Sequence, residues 1–113
     1  MTRKNTSFIL NGQTTRIRTD PKILAELARL TSETGRNQTE VVTAALCLAA
    51  QDLTGEITRC PIAAMMLIAD TAQHSDIAPY IPRPTKSSMI KGAISAAQVF
   101  PLLYWFDEQE QEY

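Results

Sequence analysis

Apolar and polar residues alternate near the start of the chain and then change to helical spacing. Between residues 14 and 19, β-branched side chains alternate with basic or polar ones, which is typical of a short β-strand. One face of this predicted strand holds Thr15, Ile17 and Thr19, and the other holds Thr14, Arg16 and Arg18. Such a strand is too short to be stable alone, so it needs a partner.

Two amphipathic helices are predicted after the strand. Asp20-Pro21 predicts a helix start, with Asp20 as the N-cap and Pro21 in the first turn, where its missing N–H costs nothing. Apolar residues then recur at three- and four-residue spacing until Gly35, which favours a helix end. The stretch 37–40 has the form of a capping box and predicts a second helix that ends near Leu53.

The remaining segments complete a fold that is mainly α-helical with one short β-strand. Residues 1–13 are predicted to be a mobile basic arm with a turn at Asn11-Gly12. Residues 61–73 and 86–100 are predicted helices, separated by a proline-containing loop over 74–85. Pro101 is expected to kink the last helix or to begin a new segment, before an acidic tail over 107–113. The chain thus divides into an arm (1–13), a compact unit (14–53) and a helical extension (54–113).

The distribution of charge changes this picture more than the composition does. The chain has 113 residues, 44% hydrophobic and 20% charged, which is typical of a small globular protein. Its net charge of −1 hides an asymmetry, because residues 1–53 carry +2 and residues 54–113 carry −3. The first 19 residues contain four basic side chains and no acidic one, which favours a polyanionic partner for that part. No secretory signal pattern opens the chain and no apolar stretch could span a bilayer, so a cytoplasmic location is expected.

Residue chemistry gives little support for an enzyme. The two cysteines, Cys47 and Cys60, form neither a disulfide scaffold nor zinc-ligand spacing, and His74 is the single histidine. No glycine-rich phosphate loop and no nucleophile with a positioned base is recognisable. We therefore expect no catalytic residues, no metal and no cofactor.

The order strand, helix, Gly-centred turn and helix over residues 14–53 resembles the ribbon-helix-helix family of DNA-binding proteins, the MetJ/Arc type. The residues that carry the resemblance are Thr14-x-Arg16-x-Arg18, Asp20-Pro21, Leu24-x-x-Leu27-x-x-Leu30 and Gly35-Arg36-Asn37-Gln38-Thr39-Glu40. Thr15 and Thr19 depart from it, since the family usually places larger apolar residues there. The resemblance implies that two chains pair their strands into an antiparallel ribbon that reads base edges in the major groove. It also implies that the second helix grips phosphate with its N-terminus.

Two groups of candidate DNA contacts follow. Thr14, Arg16 and Arg18 are expected to contact bases, because a two-stranded ribbon fits the major groove and Arg bonds guanine in bidentate fashion. A helix N-terminus offers free N–H groups to phosphate. The expected phosphate contacts are Arg36, Asn37, Gln38 and Thr39, together with Arg3 and Lys4 in the arm. Simpler interpretations stay open: solvated charges on an edge strand, ordinary helix caps and a disordered basic terminus.

The leading hypothesis is a dimeric, sequence-specific DNA-binding protein that acts as a transcriptional repressor. The dimer is expected because the strand over 14–19 has no predicted partner within the chain. The alternatives are an antitoxin whose C-terminal half covers a toxin, an accessory factor in plasmid partition or conjugation, and a helical adaptor that does not bind DNA. Residues 61–106 are expected to extend the dimer, join dimers or bind another protein, with Tyr104, Trp105 and Phe106 as anchors.

Overall fold

The computed structural model describes residues 4–74 and 85–110 and is mostly helical, with a two-stranded antiparallel sheet. The elements are β1 (Lys4–Leu10), β2 (Gln13–Thr19), α1 (Pro21–Thr34), α2 (Gln38–Thr54), α3 (Pro61–His74), α4 (Lys86–Ala96) and α5 (Val99–Glu110). The predicted loop over 74–85 lies largely outside the described residues.

The first two elements form a β-hairpin, which the sequence-based prediction missed. β1 pairs with β2 in antiparallel register, from Lys4 opposite Thr19 to Leu10 opposite Gln13. Asn11 and Gly12 connect them with φ values of 53° and 79°, as a two-residue hairpin turn of the primed type requires. The expectations of a mobile arm over 1–13 and of a single strand are therefore wrong for the described residues. One edge of β2 is paired within the chain, which removes the argument for an intermolecular ribbon.

The hairpin is held in place by its inner face. Phe8, Leu10 and Ile17 are buried there, and so are the smaller Thr15 and Thr19. This face contacts α2 through β1 and α4 through β2. The hydroxyls of Thr6 and Thr19 lie 2.8 Å apart in a hydrogen bond that crosses the two strands. The buried Thr19 hydroxyl thus has a polar partner, as a polar group removed from water requires.

The first two helices begin and end where their local signals predict. The Asp20 carboxylate accepts a hydrogen bond from the Ile23 N–H at 2.9 Å, and Gly35 ends α1 in the left-handed conformation. At α2 the Asn37 side chain accepts from the Glu40 N–H at 2.8 Å, and the Glu40 carboxylate accepts from the Asn37 N–H at 3.4 Å. The capping box is thereby confirmed.

Helix α2 lies at the centre of the molecule. It contacts β1, α1, α3, α4 and α5, and for this reason its middle is buried around most of its circumference. Its buried residues are mostly small, including Ala44, Ala45, Cys47 and Ala50, which lets neighbouring helices approach closely. Leu53, expected on the apolar stripe, is 54% exposed because the helix is leaving the core at its last turn.

The three C-terminal helices pack on this centre rather than extending away from it. Ile90 and Ile94 of α4 and Leu102 and Phe106 of α5 join one continuous apolar cluster with α1, α2 and the hairpin. The break between α4 and α5 falls at residues 97–98, before Pro101.

Pro101 is the third residue of α5 and does not kink it, because the first N–H groups of a helix have no intrahelical acceptor. The following Leu102 N–H bonds the Gln98 carbonyl at 3.2 Å, so the helix continues directly past the proline. Part of the expected acidic tail is thus helical, up to Glu110.

Candidate nucleic-acid interface

The outward face of the hairpin collects the predicted base contacts. Thr14, Arg16 and Arg18 are all exposed, and they lie on the side of β2 opposite Thr15, Ile17 and Thr19, as the alternation predicts. Three residues of β1 complete this face by register: Asn5 is opposite Arg18, Ser7 opposite Arg16, and Ile9 opposite Thr14. We call these six residues the ribbon face.

The ribbon face is positively charged. It contains two guanidinium groups and no carboxylate. Within the described parts of the chain, neither Arg16 nor Arg18 takes part in an ion pair, although other arginines do. The contrast with Arg29 is clear, because that side chain lies between Glu26 and Glu33 and pairs with both. The arginines of the ribbon face therefore have donors available for an external acceptor.

The second group of predicted contacts lies at the N-terminus of α2. Asn37 and Gln38 are exposed and Thr39 is half-buried. The capping box already uses the N–H of Glu40, whereas the N–H groups of Gln38 and Thr39 precede the first acceptor of the helix. Those two N–H groups and the positive end of the helix dipole could take a phosphate oxygen.

Arg36 differs from the other predicted phosphate contacts because it is already paired within the chain. Its guanidinium bonds the Glu110 carboxylate from the end of α5, and a second nitrogen lies 3.3 Å from Glu40. The same group stacks on the ring of Phe106, 4.6 Å from the ring centre. The hydrogen bond to Glu110, with a smaller contribution from Glu40, raises the pKa of Arg36 above its usual range. A phosphate at this position would have to compete with Glu110.

The basic residues at the start of the chain are described only in part. Arg3 lies outside the described residues. For Lys4 the backbone is placed at the first position of β1, opposite Thr19, and its role stays a prediction.

An apolar groove is lined by residues of α2, of the loop after it and of α5. It has a volume of about 730 Å³ and is lined by Leu48, Ile57, Phe100, Tyr104 and Trp105, with Arg59 and Glu108 among its polar residues. Phe100 is 83% exposed and Tyr104 is 67% exposed, which is unusual for aromatic side chains. Of the three expected anchors, Phe106 is buried in the core and packs edge-on against Trp105. Only Tyr104 and part of Trp105 face the groove.

Reactive and metal-binding groups are few in the described ranges. No cluster of three His, Cys, Asp or Glu residues there could hold a metal ion. Burial raises the pKa of the Cys47 thiol to about 12, with a smaller contribution from Cys60, so Cys47 is a protonated core side chain. Among residues 4–74 and 85–110, no helix combines the length and the hydrophobicity that crossing a bilayer requires.

The candidate surface predicted from the sequence lacked the exposed residues of β1 that share the face of Arg16 and Arg18. Asn5, Ser7 and Ile9 were assigned to a mobile arm. The dipeptide Asn11-Gly12, followed by an alternating segment, is the strongest short-range signal for a hairpin and could have found them.

Comparison with known proteins does not assign the chain to a family. No protein-family model matches the chain, and neither a curated protein nor a solved structure shows significant similarity to it.

Proposed function

We propose that this protein binds double-stranded DNA in a sequence-specific manner, with the ribbon face in the major groove. One observation carries the proposal: Arg16 and Arg18 lie side by side on the exposed face of a two-stranded ribbon that presents no acidic side chain. Occupancy of a promoter site by such a protein represses transcription, which is the function we assign to it.

The dimensions of a hairpin support this placement. Two antiparallel strands lie about 4.8 Å apart, and the major groove is about 12 Å wide, so the ribbon fits with its side chains directed at the bases. Successive outward residues on one strand are about 7 Å apart, which matches two base steps of about 3.4 Å. Arg16 and Arg18 would then reach bases two steps apart.

The chemistry of the face matches what base edges offer. Arginine donates two parallel hydrogen bonds to O6 and N7 of guanine. Such a pair of bonds favours guanine over other bases at that position by about 1–3 kcal/mol. Threonine and serine hydroxyls can donate to or accept from any base. The N-terminus of α2, with Asn37, Gln38 and Thr39, would add phosphate contacts that fix orientation without reading sequence.

The proposal changes the ribbon-helix-helix hypothesis in one respect. That family builds its ribbon from one strand of each of two chains, whereas here β1 takes the place of the partner's strand. The two helices follow the ribbon in the expected order, with the expected caps. One chain therefore contains a complete ribbon, and a single copy is able to occupy one groove.

The experiment is selection of bound duplexes from a random pool, followed by affinity measurements over a salt series. Arg16→Ala and Arg18→Ala should each lose about 1–3 kcal/mol of binding to the selected site and relax preference at one base position. Arg29→Ala removes the same charge from α1, where the side chain is paired with Glu26 and Glu33, and serves as the control.

Two results would count against this assignment. Equal losses on all sequences would make the two arginines phosphate contacts and not base readers. Absence of salt-dependent binding to any duplex would refute the DNA-binding function itself.

A dimer, if the protein uses paired half-sites, needs an interface other than the ribbon. We place it at the α5 groove, because Phe100 and Tyr104 are one turn apart on the helix and expose aromatic surface that a second copy would cover. Sedimentation of the wild type and of a Phe100→Ser/Tyr104→Ser variant tests this. The wild type should associate at micromolar concentration and the variant should not; a monomeric wild type would refute the interface.

A further inference from the structure

Ile9 is the apolar exception on the ribbon face. Its neighbours in sequence, Phe8 and Leu10, are 1% and 0% exposed, whereas Ile9 is 57% exposed. It shares its face with polar and basic side chains. An exposed isoleucine on an edge strand contributes little to the core, and on this face it offers an apolar contact among polar side chains.

The register places Ile9 at one end of the ribbon face. It lies opposite Thr14, next to the Asn11-Gly12 turn, while Asn5 and Arg18 form the pair at the other end. Thr14, whose side chain carries a methyl group, is directly across from Ile9, and opposite side chains in an antiparallel pair are about 5 Å apart. The end of the ribbon near the turn is thus the less polar end.

One base presents an apolar group in the major groove. Thymine carries a C5-methyl there, whereas guanine, adenine and cytosine present hydrogen-bond donors and acceptors. An amide such as Asn5 suits adenine, and arginines suit guanine, so an isoleucine among them matches the thymine methyl by its chemistry.

We propose that β1 supplies half of the sequence readout and that Ile9 recognises the methyl group of a thymine beneath the turn of the hairpin. This inference rests on the proposed function and specifies its ligand: a duplex with an A·T pair, thymine methyl toward Ile9, at one end of the guanine-containing part of the site. Ile9 lies one outward position, two residues or about 7 Å along the strand, from Ser7 and from the level of Arg16, which corresponds to two base steps.

The experiment removes the methyl group from the DNA and the side chain from the protein. The probe is a duplex selected by the full-length protein, in which each thymine is replaced in turn by deoxyuridine, which keeps the base-pairing groups and lacks only the methyl. One replacement should weaken binding of the wild type about four-fold, the equivalent of about 0.8 kcal/mol for one buried carbon. The same replacement should have no effect on Ile9→Ala, because its contact is already absent.

Met66→Ala is the control, since Met66 is 68% exposed on α3, outside the hairpin. It should show the same response to deoxyuridine as the wild type. A urea unfolding curve of Ile9→Ala shows that the hairpin is intact, because an exposed side chain contributes little to folding.

The outcomes separate this inference from the function on which it rests. If the protein binds a selected duplex but every deoxyuridine replacement is neutral, or if Ile9→Ala stays as sensitive as the wild type, the thymine contact is refuted and DNA binding stands. If no duplex is bound, both are refuted.

Discussion

Replacing Phe8 by alanine tests whether β1 is an integral part of the fold. Phe8 is 1% exposed on the inner face of the hairpin, where the ribbon packs against the helices. Truncating a buried phenylalanine removes its transfer free energy and leaves a cavity, and costs about 3–5 kcal/mol. A domain of this size has a free energy of unfolding of about 5–15 kcal/mol, so the loss is a large share of the total.

The assay is urea unfolding followed by circular dichroism and by the fluorescence of Trp105, the single tryptophan. Ile9→Ala is the matched variant, because it removes an aliphatic side chain from the adjacent residue on the opposite face. We expect a change within about 0.5 kcal/mol for Ile9→Ala and at least about 3 kcal/mol for Phe8→Ala. If both variants unfold at the wild-type midpoint, residues 4–10 behave as a mobile arm and the ribbon described above does not exist.

Two further predictions concern the C-terminal helix and the thiols. Glu110→Gln frees Arg36 from its strongest partner and should strengthen DNA binding a few-fold at low salt. Glu108→Gln makes the same charge change without removing a partner of Arg36 and should have a smaller effect. Equal effects of the two substitutions would show that Arg36 does not contact phosphate. Because burial raises the pKa of Cys47 to about 12, its thiol stays protonated at pH 8. Iodoacetamide should therefore modify one cysteine per native chain, Cys60, and both after unfolding. Equal labelling rates in the native protein would contradict the burial of Cys47.

Local signals in the sequence were sufficient for the first two helices. Asp20, Gly35 and Asn37 act through hydrogen bonds or backbone conformations within a few residues, so their effect does not depend on the rest of the chain. The alternation in β2 correctly separated the exposed arginines from Ile17 for the same reason.

β1 was missed because its sequence does not alternate. Phe8, Ile9 and Leu10 are three apolar residues in a row, and the polar residues before them occupy both faces. The exception to alternation is Ile9, the residue to which we assign a ligand. A strand whose outer face carries an apolar residue loses the alternation by which strands are recognised.

Long-range pairs could not be predicted from the sequence. Arg36 and Glu110 are separated by 74 residues, and only the packing of α5 beside the turn between α1 and α2 brings them together. The ion pair between Arg36, which precedes the N-cap of α2, and Glu40 in its first turn was not predicted either. The assignment of Arg36 as a phosphate contact stays a prediction, and its competitor Glu110 was not identifiable from the sequence.

The central position of α2 has a consequence for the motions of the molecule. Every neighbour of this helix must separate from it before its amides meet water, so hydrogen exchange at Ala44, Ala45 and Leu46 reports the global unfolding of the protein. The hairpin is different, because each strand has one edge outside the two-stranded sheet and its amides exchange through local opening. A duplex held by the ribbon face would suppress that local opening and leave the opening rate of α2 unchanged.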